Sequence, residues 1–104
     1  MDIEHLQKRL REFAAARHWQ PYQTPKNLAI AMVVEAAELV EIFQWMTPEE
    51  SQSIASNPAR LQHLGEEIAD VMLYLLQIAD HADIDVAAAV ERKLALNALK
   101  YPAA

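Results

Sequence analysis

Residues 27–45 read NLAIAMVVEAAELVEIFQW, and the rest of the chain is best understood from this stretch. Its apolar residues would lie nearly all round a helix, which is typical of a helix buried among others. Its only acids are Glu35, Glu38 and Glu41, and three-residue steps hold them in one stripe about 120° wide. Neither lysine nor arginine occurs in the stretch, so it predicts a buried helix with an unneutralised acidic face.

A second stretch repeats this arrangement. Residues 64–74 read LGEEIADVMLY, in which Glu67 and Asp70 are spaced like Glu35 and Glu38. If the two helices face each other, four carboxylates converge, and such a cluster is strongly unfavourable unless cations bind it. Hard oxygen ligands suit Mg²⁺ or Mn²⁺. Acids one turn apart are also common on solvated helix surfaces, so spacing alone leaves a metal site and an ordinary surface both open.

The use of glycine and proline predicts an all-helical chain. One glycine in 104 residues nearly excludes glycine-dependent hairpins, phosphate-binding loops and dinucleotide-binding motifs. Capping residues and prolines predict four main helices, over about residues 3–18, 25–44, 57–82 and 86–100. They also predict a short helix over about residues 47–56. Four main helices with short links predict an antiparallel four-helix bundle with a short extra helix. We expect residues 1–104 to form a single all-α domain.

Composition excludes several classes of protein. The chain has no cysteine, so it has neither a disulfide framework nor a thiolate zinc site, which fits a reducing compartment. A formal net charge of −6 argues against nucleic-acid binding. There is no apolar run of about 18 residues, and the acidic N-terminus lacks the pattern of a signal peptide. We therefore expect a cytoplasmic protein that contacts neither nucleic acid nor membrane.

The acidic motifs resemble those of a known family. Glu35-Ala-Ala-Glu38, followed later by Glu67-Ile-Ala-Asp70, resembles the ExxE and ExxD signature of the MazG-like all-α nucleoside triphosphate pyrophosphohydrolases. Further likeness to the dCTP pyrophosphatase type comes from residues 25–28, 41–45, 70–74 and 93–102. The resemblance implies a helical bundle of that type, assembled as a homodimer or homotetramer. It also implies Mg²⁺-dependent hydrolysis of a nucleoside triphosphate to the monophosphate and pyrophosphate.

The same resemblance implies roles for individual residues. The positions that match the family's metal ligands are Glu35, Glu38, Glu67 and Asp70. Glu38, with Glu35 beside it, is the candidate catalytic base, and Lys93 and Lys100 are candidates to hold the phosphates. The candidates to hold the nucleoside are Gln23, Asn27, Trp45, Tyr74, Asn97 and Tyr101. Members that prefer dCTP tend to have a histidine where this chain has Gln23, so the base preference stays open.

Two alternatives accompany the expected substrate, which is dCTP or a modified pyrimidine deoxynucleotide. The same metal ligands would serve hydrolysis of dUTP, purine or damaged nucleotides. A non-catalytic helical module would instead bind a partner through the alanine-rich last helix, and its carboxylates would be dispensable. His63, one turn before Glu66 and Glu67, is expected on the polar surface of its helix, and the alternative is that it reaches the edge of the site.

Overall fold

The computed structural model describes all 104 residues and contains helices and no strands, which confirms the all-α prediction. Its five α-helices are α1 (Ile3–Ala16), α2 (Pro25–Phe43), α3 (Pro48–Gln52), α4 (Pro58–His81) and α5 (Val86–Lys100). Two 3₁₀ turns, Gln20–Tyr22 and Ile54–Ser56, lie in the links. No helix combines the length and the apolar character that crossing a membrane requires.

Every α-helix begins at a side chain that caps it. The caps are Asp2, Thr24, Thr47, Asn57 and Asp85, and each accepts a hydrogen bond from the backbone N–H three residues later. Such a cap satisfies an N–H group that the first turn leaves free, and it stabilises a helix by about 1 kcal/mol. The predicted helix starts are confirmed, because a cap acts over only a few residues of sequence.

Two predicted helix ends need correction. α1 ends at Ala16 instead of about residue 18, because His18 has a φ of 57°, in the left-handed region where an α-helix cannot continue. The short helix predicted to reach about residue 56 stops at Gln52. There Ser53 leaves helical geometry, with φ −97° and ψ 14°, and a separate 3₁₀ turn follows.

The packed centre of the chain is the pair α2 and α4, and α1 packs on α4. The buried apolar side chains are Ala14, Leu28, Leu76 and Ala79. α5 packs extensively on no other helix and has no buried residue. The radius of gyration is 16.7 Å, whereas a compact chain of this length would have about 13 Å. One chain therefore leaves α5 and the outer face of α2 uncovered.

Two polar side chains, one turn apart, fasten α1 to α4. The buried Gln7 donates from Nε2 to the carbonyl of Leu76 at 2.9 Å. Arg11 Nη1 lies 2.7 and 2.8 Å from the two carboxylate oxygens of Asp80. These bonds place the link that follows α1 beside the C-terminal half of α4, where the two line a common cavity with α1.

Candidate metal centre

The packing of α2 against α4 brings three carboxylates together. Oxygen atoms of Glu35, Glu38 and Glu67 lie within 4.8 Å of one another. Glu35 and Glu38 share one face of α2 because they are separated by about one turn, and Glu67 comes from the facing side of α4. Oxygens this close are within reach of a single cation.

Glu67 is the most buried acid of the chain, with the residue only 7% exposed. Its Oε2 atom is buried and, while the neighbouring carboxylates are ionised, accepts no hydrogen bond. Leaving a buried polar atom unpaired costs about 1–3 kcal/mol, and more when the group is charged. A divalent cation would satisfy this oxygen, so an all-carboxylate set with one unpartnered member fits a hard cation.

The crowding of the carboxylates changes the proton affinity of Glu35. Burial raises the pKa of Glu35 from 4.5 to about 7, and hydrogen bonding with Glu38, the charge of Glu38, hydrogen bonding with Glu67 and the charge of Asp70 add to the rise. At pH 7, Glu35 of the cluster without a cation is therefore protonated in about half of the molecules, which relieves the repulsion. A bound cation would displace this proton because it stabilises the charged form.

Asp70, the remaining predicted ligand, lies outside the tight group but acts on it through its charge. The half-buried Tyr74 lies one turn further along α4. The pKa of Tyr74 is raised by burial first and then by the charges of Glu35 and Asp70. Tyr74 therefore lies within range of the charges of the cluster, and a predicted nucleoside residue shares a helix face with the predicted metal ligand Asp70.

His63 is exposed, as expected, and also reaches the edge of the cluster. Its Nε2 atom is 3.3 Å from Glu67 Oε1, four residues along the same helix. The four-residue spacing holds the two side chains on one face of α4. Glu66, which is adjacent to Glu67 in sequence, is exposed, and it accepts a hydrogen bond from Gln62 Nε2 at 3.3 Å.

Two of the predicted nucleoside-binding residues, Gln23 and Asn27, lie in the link between α1 and α2 and at the start of α2. Gln23 is half-buried and lines a cavity against α4. Asn27, in the first turn of α2, donates from Nδ2 to the carbonyl of Tyr22 at 2.9 Å. The amide of Asn27 therefore fastens the link to α2.

The other predicted substrate residues lie outside the main packing of α2 against α4. They are Lys93, Asn97 and Lys100 on α5, Tyr101 just after it, and Trp45 after α2. Trp45 is 89% exposed. Lys100 Nζ lies 5.2 Å from the centre of the Tyr101 ring, a cation–π distance. Lys100 and Tyr101 therefore contact each other, and neither Lys93 nor Lys100 forms an ion pair with a carboxylate of the same chain.

Known proteins resemble this chain over most of its length. A model of the MazG-like family matches residues 30–104. dCTP pyrophosphatase 1 of Homo sapiens is 38% identical over 101 residues, and that of Bos taurus is 37% identical over 100 residues. These alignments cover 97% and 96% of this chain but 59% of each relative, so the chain spans about three fifths of their length. The crystal structure of a pyrophosphatase from Archaeoglobus fulgidus has a TM-score of 0.85 and 44% identity, covering 99% of this chain and 94% of that one.

Proposed function

Because the chain belongs to the MazG-like family, we propose that it hydrolyses a nucleoside triphosphate to the monophosphate and pyrophosphate. The proposed substrate is dCTP or a modified pyrimidine deoxynucleotide, in line with the relatives' names. The main support is the group of Glu35, Glu38 and Glu67 oxygens within 4.8 Å, with Glu67 Oε2 buried and unpartnered. We propose that residues 1–104 form a single catalytic domain.

Charge explains why this reaction needs a divalent cation. A triphosphate is strongly anionic, and the protein itself has a formal net charge of −6. The proposed ion is Mg²⁺, for which Mn²⁺ can substitute, held by Glu35, Glu38, Glu67 and Asp70. When bound, Mg²⁺ would screen the phosphates, polarise the α-phosphorus and lower the pKa of a water molecule.

The proposed catalytic base is Glu38. Its carboxylate lies beside Glu35 and Glu67, so a water molecule at the cluster is within its reach. Glu38 would accept the proton of the water that attacks the α-phosphorus, while the bond to the pyrophosphate group breaks. The leaving pyrophosphate would be neutralised by Lys93 and Lys100.

We also propose that the active assembly is a homodimer or homotetramer. The outer face of α2 exposes four apolar side chains, Ile30, Val33, Val34 and Val40. α5 adds exposed Val90, Leu94, Leu96 and Leu99. Apolar faces of this extent mark interaction surfaces in proteins. A second copy that covers them would also supply the α5 helix, with Lys93 and Lys100, to each group of carboxylates.

Product analysis tests the proposed reaction. The purified protein is incubated with Mg²⁺ and each of the common ribonucleoside and deoxyribonucleoside triphosphates, and the products are separated by ion exchange. We expect the monophosphate and pyrophosphate from a pyrimidine nucleotide. Glu38→Ala should lower the turnover by about 100-fold or more, because a general base contributes about 10²- to 10⁴-fold. The matched control is Glu49→Ala, which removes an exposed acid of α3.

Release of a diphosphate and inorganic phosphate would contradict the proposed bond cleavage. Turnover by Glu38→Ala at the wild-type rate would remove Glu38 from the mechanism. A folded protein that hydrolyses no nucleotide with Mg²⁺ or Mn²⁺ would instead favour the non-catalytic partner-binding module.

A further inference from the structure

The two oxygens of the Glu67 carboxylate have different surroundings. Oε2 is buried and has no hydrogen-bond partner while the neighbouring carboxylates are ionised. Oε1 lies 3.3 Å from Nε2 of His63, one turn earlier on α4. The Glu67 side chain is 9% exposed, whereas that of His63 is 57% exposed. The imidazole therefore lies on the solvent side of Glu67, at the edge of the acidic cluster.

His63 is the only side chain that pairs with a carboxylate of the cluster as a cation or a donor could. The ion pairs of the chain join Lys8 to Glu12, Arg11 to Asp80, and His63 to Glu67. Of these, only the last includes a residue of the tight group. Whatever orients the buried carboxylate from outside the cluster therefore acts through His63.

The contact needs no positive charge on His63. A neutral imidazole has its proton on one of its two nitrogens, and the tautomer protonated at Nε2 has it on the nitrogen nearest Glu67. A lysine or an arginine at this position would compete with a metal ion for the carboxylate, because its charge is permanent near neutral pH. A neutral donor can contact Oε1 and leave the negative charge of Glu67 for the ion.

Orienting Glu67 in advance would favour binding of a cation. A glutamate side chain has several rotatable bonds, and fixing them costs conformational entropy. A contact that fixes the carboxylate beforehand removes this cost from the binding step. Groups that orient metal ligands in this way typically contribute about 10- to 100-fold to metal affinity.

We infer that His63 is a positioning residue of the metal centre: its Nε2 holds Oε1 of Glu67, so that Oε2 stays available to the cation. The inference rests on the proposed function, in which Glu67 is a ligand of Mg²⁺. His63 lies outside the tight group of carboxylates. It should therefore change the affinity for the cation and leave the chemical step unchanged.

A neighbouring pair on α4 provides the matched variants. Gln62 donates from Nε2 to Oε1 of Glu66 at 3.3 Å, with the same four-residue spacing as His63 and Glu67. A glutamine on this helix can therefore reach a carboxylate one turn later, which makes His63→Gln the conservative variant. Gln62 and Glu66 are both exposed and lie outside the cluster, so Gln62→Ala is the matched control for His63→Ala.

The test measures the binding of Mn²⁺ without any nucleotide, from the electron paramagnetic resonance signal of the free ion. Melting in EDTA verifies that each variant is folded at the temperature of the measurement. We expect His63→Ala to raise the Kd for Mn²⁺ about tenfold, at the low end of the range because His63 is exposed. His63→Gln should restore most of the affinity, and Gln62→Ala should leave it unchanged.

Hydrolysis provides a second measurement. His63→Ala should need about tenfold more Mg²⁺ for half-maximal turnover, while kcat at saturating Mg²⁺ should equal that of the wild type. A fall in kcat that saturating Mg²⁺ does not restore would overturn the positioning role, because His63 would then act in the chemical step.

The binding data can overturn the inference by themselves. A rise in Kd of less than about fivefold in His63→Ala is no more than an exposed pair contributes, and it would contradict a positioning role. A loss that His63→Gln does not restore, or that Gln62→Ala shows equally, would contradict it as well.

The two proposals can fail separately. If the wild type binds Mn²⁺ but hydrolyses no nucleotide, the proposed reaction fails, and the Mn²⁺ affinities of the variants still decide the role of His63. A wild type that binds no Mn²⁺ would overturn the inference together with the metal centre.

Discussion

Without divalent cations, the free energy of unfolding should fall as the pH rises from 4.5 to 7, and Glu35 should cause the fall. The pKa of Glu35 is about 7 in the folded protein, against 4.5 for an ordinary glutamate. Between these two values the native state keeps a proton that the unfolded chain has lost. Stability linked to this group is therefore fully present below pH 4.5 and is lost as the pH rises through 7.

The structure sets the size of this effect. A tenfold change in proton affinity corresponds to about 1.4 kcal/mol, so the rise in the pKa of Glu35 from 4.5 to about 7 gives a ceiling of about 3.4 kcal/mol. Glu35 is only half-buried, and screening by solvent lowers the expected loss to about 1–2 kcal/mol. For a chain of this length, such a loss lowers the melting temperature by about 5–15 °C.

Thermal melting in EDTA across pH 4.5–7.5 measures the effect in the wild type and in Glu35→Gln. The variant cannot lose the proton, so its stability should depend less on pH and should exceed that of the wild type at pH 7.5. Glu41→Gln, an exposed acid on the same helix, is the matched control. Adding Mg²⁺ at pH 7.5 should stabilise the wild type, by about 2.7 kcal/mol at 100 times its dissociation constant.

Parallel melting curves of the wild type and Glu35→Gln across this pH range would refute the reasoning. The reasoning would also be refuted if Glu41→Gln reduced the pH dependence of the melting temperature as much as Glu35→Gln does. An unchanged melting temperature with Mg²⁺ or Mn²⁺, alone and with a nucleotide, would refute the metal centre.

Three further predictions concern packing. Leu28→Ala should lower the free energy of unfolding by about 2–5 kcal/mol in urea titrations, because Leu28 is 2% exposed; a loss under 1 kcal/mol would contradict the assigned core. A double-mutant cycle with Arg11→Met and Asp80→Asn should give a coupling energy under about 1 kcal/mol, since the Arg11 side chain is 57% exposed; a value above 2 kcal/mol would show that the pair is shielded from solvent. Val33→Glu should convert an oligomer to a monomer in sedimentation equilibrium, and an unchanged mass would exclude the outer face of α2 from the interface.

Much of the candidate site could be predicted because it depends on spacing within single helices. Glu35 and Glu38 must share a face of α2, and Glu67 and Asp70 must share a face of α4, whatever else the chain does. What spacing could not predict is that Glu67 is buried with one oxygen unpartnered, or that the pKa of Glu35 rises. Both depend on the approach of α4 to α2. The catalytic and binding roles of these residues stay predictions.

The helices and their starting points were determined by the sequence alone. The side-chain hydrogen bonds of Asp2, Thr24, Thr47, Asn57 and Asp85 each reach only three residues along the chain. A chain with this composition has few other ways to satisfy its backbone.

Only the tertiary structure decided how these helices meet. The bonds from Gln7 and Arg11 join α1 to residues 69 positions away on α4, beside a cavity that both Gln23 and Gln77 line. The apolar pattern of α5 likewise did not predict that α5 packs extensively on no other helix of the chain. An apolar stripe predicts that one face of a helix will be buried. Which surface buries that face depends on packing between distant segments of the chain or between copies of it.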